Sequence, residues 1–318
     1  MEDNLQVYYF SSDQLNYQNL SEVIKTLKPD TVFVNGIYSF YFSLLPLLIL
    51  KRLKHQNIII SARGMLAKSA IEVKGRKKKF FLKAAQLMGL YKGIRFHATH
   101  EGEKQDIVKV IGAKANVVIA PNLPKKAVAL ANEQRPKHKG ELKLISVARI
   151  SPEKNTKFAL EVLERCEGIG SIKFDIFGPV YNTNYWNECQ EIIQRLPLNV
   201  IVNYRGSLKS ESVAATLKNY HALLMPTRGE NFGHIILESF TAGCPVIISD
   251  QTPWQNLSSL SIGFDLPLTN IKEYIKAISF YTEMKQEEYD FHSELAYEYS
   301  QKFLNDEQAI KQNHLMLH

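Results

Sequence analysis

Two short segments of this sequence combine charged residues and glycines at spacings suited to binding an anion. The first, Thr227-Arg-Gly-Glu-Asn-Phe-Gly-His-Ile-Ile-Leu-Glu238, follows an apolar run and begins a helical pattern near His234. Its glycines allow the backbone to approach a ligand closely, and the positive end of the helix attracts negative charge. Glu230 and Glu238 could bind hydroxyl groups, or they could simply be ordinary acidic residues of a helix.

The second segment, Ser146-Val-Ala-Arg-Ile-Ser-Pro-Glu-Lys154, follows the apolar run that predicts the first strand of this half of the chain. Arg149 and Lys154 would then lie at the carboxyl end of that strand, where parallel α/β sheets bind their ligands. Two cations there, opposite the N-terminus of a helix, are suited to a diphosphate. A single Lys is often a solvated surface residue, but an Arg directly after a buried strand is less easily explained that way.

The elements that must position these residues follow an alternating pattern of short apolar runs and helical periods. Such repeated βαβ units predict parallel sheets with helices on both faces, a doubly wound α/β architecture. The pattern is weaker in the first half of the chain and clearest in the second. Strands are predicted at 32–34, 58–61, 96–99, 117–120, 142–147, 172–177, 200–204, 222–225 and 245–249, and helices of the second half at 155–166, 185–196, 213–220 and 234–241.

Residues 125–140 interrupt this alternation and predict a linker, because they are polar and include Pro136 and Gly140. Residues 1–124 are therefore expected to form an N-terminal domain and residues 141–284 a C-terminal domain. Residues 285–318 predict amphipathic C-terminal helices, which we expect to pack back on the N-terminal domain.

The composition predicts an ordinary globular protein of two domains. The 318 residues are 45% hydrophobic and 22% charged, which excludes a disordered chain. Three scattered cysteines exclude a disulfide framework and a zinc ribbon, and they indicate a reducing cytosol. No signal peptide is expected at the start. Residues 31–50 carry no charge, but Asn35-Gly36 and Pro46 interrupt them, so we expect a strand, a turn and a buried helix rather than a membrane span.

The basic residues are concentrated in one segment. Between Lys51 and Arg95 the chain has 13 Lys and Arg residues and a single acid, Glu72, whereas the whole protein has a net charge of +7. The region Lys74–Lys79 predicts contact with phosphates, either on an anionic membrane surface, on a lipid-linked ligand or on nucleic acid; a solvated loop is the alternative. Nucleic acid is disfavoured, because few aromatic residues are interleaved with the cations.

With these residues in view, the sequence closely resembles the group 1 retaining glycosyltransferases of the GT-B fold. The resemblance rests on SVARISPEKN and PTRGENFGHIILESFTAGCPVIISDQTPW, and more weakly on residues 35–39, 61–66 and 97–101. It implies two facing Rossmann-like, doubly wound domains, an acceptor-side N-terminal one and a donor-binding C-terminal one. It also implies metal-independent transfer of a hexose-type sugar from a nucleotide diphosphate-sugar to a glycan or lipid-linked acceptor with retention of configuration, as in bacterial capsule and lipopolysaccharide synthesis.

The resemblance also implies roles for individual residues. Arg149 and Lys154 would bind the donor diphosphate and neutralise the leaving group, and Glu230 would hold hydroxyls of the donor sugar. Glu238 would bind the ribose, and neither a cofactor nor a metal is expected. The remaining expected contacts are Asn231, Phe232 and Gly233 for sugar and phosphate, and Gly178, Gly206, Ser207 and Leu208 for the base.

The N-terminal domain departs from the family pattern. GT-B chains usually begin with a strand and a glycine-rich loop, whereas residues 1–10 resemble the end of a later strand and the first glycine is Gly36. We therefore expect this domain to be shortened and to lack its first βα units. The alternative function is then a nucleotide-sugar-binding protein without turnover.

Two first-half residues, Arg63 and His100, are further candidates for acceptor contacts. A metal site at His97, His100 and Glu101 is disfavoured, because residues i and i+3 of a strand face opposite sides. We expect a cytoplasmic protein that associates peripherally with the inner face of the cell membrane.

Overall fold

The computed structural model describes residues 6–67, 70–71, 75–123 and 135–317. Contacts between Cα atoms divide the chain into two compact units. The first comprises Met1–Asn122 with Glu307–His318, and the second comprises Leu123–Asp306. Each unit contains a parallel sheet with helices, so the α/β prediction is confirmed.

The first unit has a four-stranded parallel sheet in the order β1-β2-β3-β4. Its core is formed by the apolar strand residues and by the buried faces of the helices that pack on them. The strands are β1 (Val32–Asn35), β2 (Ile58–Ser61), β3 (Arg95–Ala98) and β4 (Asn116–Ile119); the helices are α1 (Tyr17–Leu27), α2 (Leu45–Arg52, after a π-helical turn at Phe40–Leu44), α3 (Gly75–Leu87), α4 (Glu101–Ile111) and α11 (Glu307–Leu317).

The uncharged stretch at 31–50 forms a strand, a turn and a buried helix, as expected. Gly36 follows β1 with a positive φ of 94°, which favours glycine and ends the strand. Pro46 lies in the first turn of α2, where its missing N–H costs no helical hydrogen bond. Leu47 and Leu50 of this helix are fully buried. No helix among the described residues is long and apolar enough to cross a membrane.

The second unit has a six-stranded parallel sheet in the order β10-β9-β8-β5-β6-β7. Apolar residues alternate to both of its faces, and each face carries a buried cluster. The strands are β5 (Glu141–Val147), β6 (Ser171–Phe177), β7 (Val200–Tyr204), β8 (Ala222–Met225), β9 (Val246–Ser249) and β10 (Gly263–Leu266); the helices are α5 (Thr156–Leu163), α6 (Thr183–Ile193), α7 (Val213–Leu217), α8 (His234–Thr241), α9 (Ile271–Glu283) and α10 (Gln286–Leu304).

The strand order positions a ligand site. The second sheet starts with β5, continues outward through β6 and β7, and the chain then returns to β8 on the other side of β5. Between β5 and β8 the direction of winding reverses, so the helices that follow these two strands pack on opposite faces of the sheet and a crevice forms at the strand ends. Both charged segments identified in the sequence belong to the loops that follow these two strands.

Several sequence-based expectations are corrected. Residues 6–10 form no strand, and β10, α1 and α9 were not predicted. The described part of the predicted linker, residues 135–140, packs within the second unit, because Arg135 and Lys137 are buried and hydrogen-bonded there. Residues 125–134 of that linker lie outside the described residues. The C-terminal segment is divided: α10 packs against α8 in the second unit, and α11 packs against β4 in the first.

Candidate functional site

The loops after β5 and β8 are fastened to one another by hydrogen bonds to a single carbonyl. The Glu153 carbonyl accepts from the Arg228 backbone N–H at 2.9 Å and from the Thr227 hydroxyl at 3.1 Å. Thr227 is fully buried, and its own carbonyl accepts from the Ser249 hydroxyl at 2.5 Å. Because β9 supplies Ser249, three neighbouring strands fix the start of the 227–233 turn. Nothing in the sequence marked Thr227 or Ser249 beyond their positions, two residues after β8 and at the end of β9.

The same turn brings the ammonium group of Lys154 into a hydrogen-bonded ion pair with the carboxylate of Glu230. The side chains are 19% and 13% exposed, so this pair is largely withdrawn from water. The Glu230 backbone N–H donates to the Gln251 carbonyl at 3.1 Å, which fixes the position of the acid. The structure therefore brings together two of the three residues expected to be catalytic.

The helix after this turn begins at a glycine in the left-handed region. Gly233 caps α8 with φ 77°, and a Cβ atom at this position would lie 2.9 Å from the Ile236 side chain. The Trp254 indole N–H donates to the Phe232 carbonyl, and the two rings pack at 5.4 Å. Glycine and tryptophan together hold residues 231–233 at the positive end of the α8 dipole. The partly buried Glu238 lies further along the same helix.

Arg149, which is expected to bind the diphosphate together with Lys154, contacts an aromatic ring. Its guanidinium lies 4.8 Å from the centre of the Tyr181 ring, a cation–π contact. Tyr181 belongs to the loop after β6, and this loop continues parallel to the β5 loop through the backbone pairing of Ile150 with Val180. No ion pair joins Arg149 to a carboxylate among the described residues. The guanidinium is exposed and keeps its charge available to a ligand.

Gly178 allows the loops after β5, β6 and β7 to approach each other. Its φ is 143°, and a Cβ atom there would lie only 1.9 Å from the Ala148 carbonyl oxygen. Its N–H donates to the Gly206 carbonyl at 2.8 Å. Gly206 also has a positive φ of 72°, but the space around it is open. Gly178 is thus placed where it sets the backbone just before Arg149.

The loop expected to line a base is held from beneath by a buried carboxylate. Asp175 on β6 accepts from Asn203 at 2.7 Å, from the Arg205 Nε at 3.0 Å and from the Tyr220 hydroxyl at 2.7 Å. Burial alone would raise the pKa of Asp175, but these hydrogen bonds outweigh it and the pKa is lowered. The charged form therefore anchors the start of the loop. Beyond it, Ser207 is exposed and Leu208 packs against the apolar cluster of β8 and β9.

In the first unit, the carboxyl ends of the strands also carry polar residues. Arg63 is exposed and donates to the side-chain oxygens of Asn35 and Asn122. His100 caps α4, and its Nδ1 accepts from the Glu103 backbone N–H at 3.3 Å. His97 is buried between the Ser61 hydroxyl and the Ala120 carbonyl, and burial lowers its pKa.

Neither unit presents a metal site in the described part of the chain, where no three His, Cys, Asp or Glu residues are grouped suitably. The His97 contacts show why the His97–His100–Glu101 combination does not assemble: both ring nitrogens of His97 are already hydrogen-bonded inside the sheet.

Comparisons with known proteins agree with this architecture. A family model described as glycosyl transferases group 1 matches residues 129–291, just over half of the chain. A search among curated proteins by sequence finds no match. Similar solved structures include sucrose-phosphate synthase from Thermosynechococcus elongatus, with 14% identity, a TM-score of 0.65, and coverage of 98% of this chain and 81% of that chain.

Two further structures are similar. Anabaena Alr3699/HepE, solved in complex with UDP and glucose, has 12% identity and a TM-score of 0.70, with coverage of 94% of this chain and 80% of that chain. A glycosyltransferase from Rickettsia africae has 14% identity and a TM-score of 0.69, with coverage of 98% and 83%. At these identities the likeness establishes the fold, which is that of the GT-B glycosyltransferases. Together with the match of the family model, it shows that this chain belongs to the group 1 glycosyltransferase family.

Proposed function

We propose that this protein transfers a hexose-type sugar from a nucleotide diphosphate-sugar to a glycan or lipid-linked acceptor, without a metal and with retention of the anomeric configuration. The observation that carries the proposal is the Lys154–Glu230 pair, held at the reversal point of a parallel sheet by the hydrogen bonds of Thr227 and Glu153. UDP is the first nucleotide to test, because Anabaena HepE was solved with UDP and glucose.

The charges at this site suit a departing nucleoside diphosphate. In the proposed reaction the bond from the anomeric carbon to the diphosphate oxygen breaks, and its electron pair stays on that oxygen. The acceptor hydroxyl oxygen bonds to the carbon from the same face, and its proton passes to the departing phosphate. Lys154 and Arg149 would stabilise the growing negative charge, and preorganised groups of this kind are each worth about 10²–10³ in rate.

In this proposal Glu230 exchanges partners when the donor arrives. Lys154 would turn to the diphosphate, and the carboxylate would accept hydrogen bonds from hydroxyls of the donor sugar. Asn231, Phe232 and Gly233 would contribute backbone N–H groups, and Glu238 would bind the ribose. Gly178, Gly206, Ser207 and Leu208 would line the base. The cations and the end of α8 would do the work that a divalent metal does elsewhere, so no cofactor is proposed.

Calorimetric titration with UDP, GDP and ADP in the presence of EDTA tests the donor site. We expect one nucleotide to bind, and we expect Lys154→Met to weaken it at least tenfold. Lys157→Met is the matched control, because Lys157 is three residues away but pairs with Glu188 on the exposed surface. Equal affinity in the two variants would remove Lys154 from the site.

Turnover separates this proposal from the alternative, a nucleotide-sugar-binding protein without catalysis. A transferase hydrolyses the bound nucleotide-sugar slowly even without an acceptor, and product NMR reports the anomeric configuration. We expect release of the nucleoside diphosphate in EDTA, reduced about 10²–10³-fold in Arg149→Ala and in Lys154→Ala. Tight binding of the nucleotide-sugar with no release of the nucleoside diphosphate, whichever acceptor is added, would favour the alternative of a binding protein.

We further propose that the protein lies peripherally on the inner face of the cell membrane. Lys74 is outside the described residues, but Arg76, Lys77, Lys78 and Lys79 lie on α3. A groove of about 790 Å³ runs beside this helix, and Phe80, Leu87 and Met88 are 77%, 90% and 73% exposed. Cations beside exposed apolar side chains suit an anionic bilayer. The groove is lined by apolar Leu66, Ile71, Phe80, Leu82 and Val110, by cationic Arg76, Lys79, Lys83 and Lys109, and by Gln86 and the acid Asp106.

Co-sedimentation with vesicles tests this surface. We expect binding to phosphatidylcholine vesicles that contain phosphatidylglycerol, little binding to pure phosphatidylcholine, and loss of binding at high salt. Lys79→Glu/Lys83→Glu should abolish binding. Lys272→Glu/Lys276→Glu changes the net charge equally on the exposed face of α9 in the second unit and is the control. If the two double variants behave alike, net charge rather than α3 explains the attraction.

A further inference from the structure

Arg63 lies in the first unit, at the carboxyl end of the parallel sheet, and has an unusual set of partners. Its Nε donates to the Asn35 Oδ1 at 3.0 Å, and one Nη donates to the Asn122 Oδ1 at 2.7 Å. Both partners are neutral amides, and Arg63 forms no ion pair with any carboxylate of the described residues. The guanidinium is thus oriented by two contacts to neutral groups.

The backbone that carries Arg63 is held in place by a buried acid. Arg63 and Gly64 have successive positive φ angles of 51° and 70°, a conformation that an arginine rarely adopts. Glu103 is 3% exposed, and one of its oxygens accepts from the Gly64 N–H at 2.7 Å. Its other oxygen accepts from the Thr99 N–H and hydroxyl, each at 2.7 Å. Glu103 therefore fixes the loop of Arg63 against the loop after β3.

The polar side chains at this strand end offer hydrogen-bond donors. The amide oxygens of Asn35 and Asn122 accept from Arg63, so the NH₂ group of each amide is the end that can donate to a ligand. His100, one residue after Thr99, uses its Nδ1 as an acceptor, so the neutral ring carries its proton on Nε2. An arginine fork, two amide NH₂ groups and an imidazole N–H match the oxygens of a phosphate or carboxylate.

We propose that Arg63, Asn35, Asn122 and His100 form an oxyanion site that binds a phosphate-type group of the acceptor. That the bound group belongs to an acceptor rests on the proposed transferase function. The anion site itself belongs to the first unit and requires nothing from the donor loops. Glu103 is a positioning residue in this site, because it holds the backbone of Arg63 and does not reach the ligand.

Titration with inorganic phosphate, followed by backbone amide NMR of the full chain, tests the site. UDP is present at saturation, so that any phosphate site among the donor loops is already filled. We expect saturable shifts at the amides of Gly64, Thr99 and His100, and none in sodium chloride of equal ionic strength. UDP binding is recorded separately, so failure of the donor site and failure of the anion site are distinguished.

The decisive variant is Asn122→Asp, which has nearly the same shape as the wild type and places a carboxylate against Arg63. It should lower the phosphate affinity at least tenfold while leaving the melting temperature unchanged or higher, which a merely structural role of Arg63 would not produce. Arg195→Gln, a change of equal charge on the exposed surface of the second unit, should leave the phosphate shifts unchanged. Undiminished phosphate binding in Asn122→Asp would overturn the proposal, as would the absence of saturable shifts in the wild type.

Two further ligands identify the source of the phosphate. Glycerol 1-phosphate represents a soluble acceptor, and vesicles containing phosphatidic acid represent a lipid headgroup. If the site takes a headgroup, Asn122→Asp weakens vesicle binding together with phosphate binding. If the site takes a soluble phosphate, Asn122→Asp weakens the binding of glycerol 1-phosphate and leaves vesicle binding unchanged.

Discussion

The stability of the second unit should fall as the pH falls, because of one buried histidine. His221 is 1% exposed; its Nδ1 accepts from the Lys143 N–H at 3.0 Å, and its Nε2 lies 3.0 Å from the Pro136 carbonyl, to which it donates. This arrangement requires the neutral ring. Burial lowers the pKa of His221 to about 4, and the charge of Lys137 acts in the same direction.

The sign and size of the effect follow from proton linkage. In the unfolded chain a histidine takes up a proton near pH 6.5, whereas the folded His221 stays neutral until about pH 4. The unfolded state therefore binds more protons between these values, and stability is lost as the pH falls through that window. The loss is about 2 kcal/mol between pH 7 and pH 5, and about 3 kcal/mol once both states are protonated.

Urea unfolding at pH 7 and pH 5, followed by tryptophan fluorescence, measures this loss of stability in the second unit itself. The chain has two tryptophans, Trp186 and Trp254, and both belong to the second unit. His221→Gln keeps hydrogen-bonding groups but does not titrate, and it controls for the carboxylates and for His97 and His292. The difference in the free energy of unfolding between pH 7 and pH 5 should be smaller by about 2 kcal/mol in the variant. Equal pH dependence, or an NMR titration of His221 near pH 6.5, would refute the reasoning.

Three further substitutions test other contacts. Gly178→Ala should weaken nucleotide binding at least tenfold, because its Cβ displaces the carbonyl 1.9 Å away; Gly206→Ala shares the positive φ but meets open space, so calorimetry should show a smaller loss. Arg135→Met should lower the free energy of unfolding by about 3 kcal/mol in urea, because three backbone carbonyls lose a buried donor. Glu103→Gln should lower the melting temperature of the first unit, since charge-assisted bonds to two backbone N–H groups weaken; unchanged melting relative to the exposed Glu101→Gln would contradict this.

The fold was largely predictable, because most strands are buried apolar runs bounded by polar or glycine residues. The edge strand β10 escaped prediction because Gly263–Leu266 is short, includes an aspartate and is only partly buried. The prediction of a linker was wrong for its described part, residues 135–140, because it was based on polar composition, which usually indicates an exposed segment. Arg135 instead donates to the carbonyls of Lys218, Ala242 and Gly243, and such long-range contacts leave no local pattern in the sequence.

The candidate site was predictable in composition but not in pairing. The sequence indicated that Arg149, Lys154 and Glu230 follow strands of one sheet, and the order β8-β5-β6 brings their loops to one edge. It did not indicate that Lys154 would bind Glu230, 76 positions away, while Arg149 stacks on Tyr181. The partners of these two cations depend on loop conformation, and a loop conformation is set by tertiary contacts that periodicity does not encode.

The position of α11 has a consequence for biosynthesis. This helix is the last of the described chain, yet it completes the first unit: Met316 is buried beside Ile59 and Ala120, its carbonyl accepts from Arg95 at 2.8 Å, and Asn313 donates to the Pro121 carbonyl at 2.8 Å. Domains usually fold in the order in which the ribosome releases them. Here the first unit is translated before the second, but the part of its sheet around Ile59 and Ala120 is covered only after the whole second unit has been translated. A nascent chain arrested near residue 306 would therefore carry an exposed apolar surface on its first unit, where a chaperone would bind.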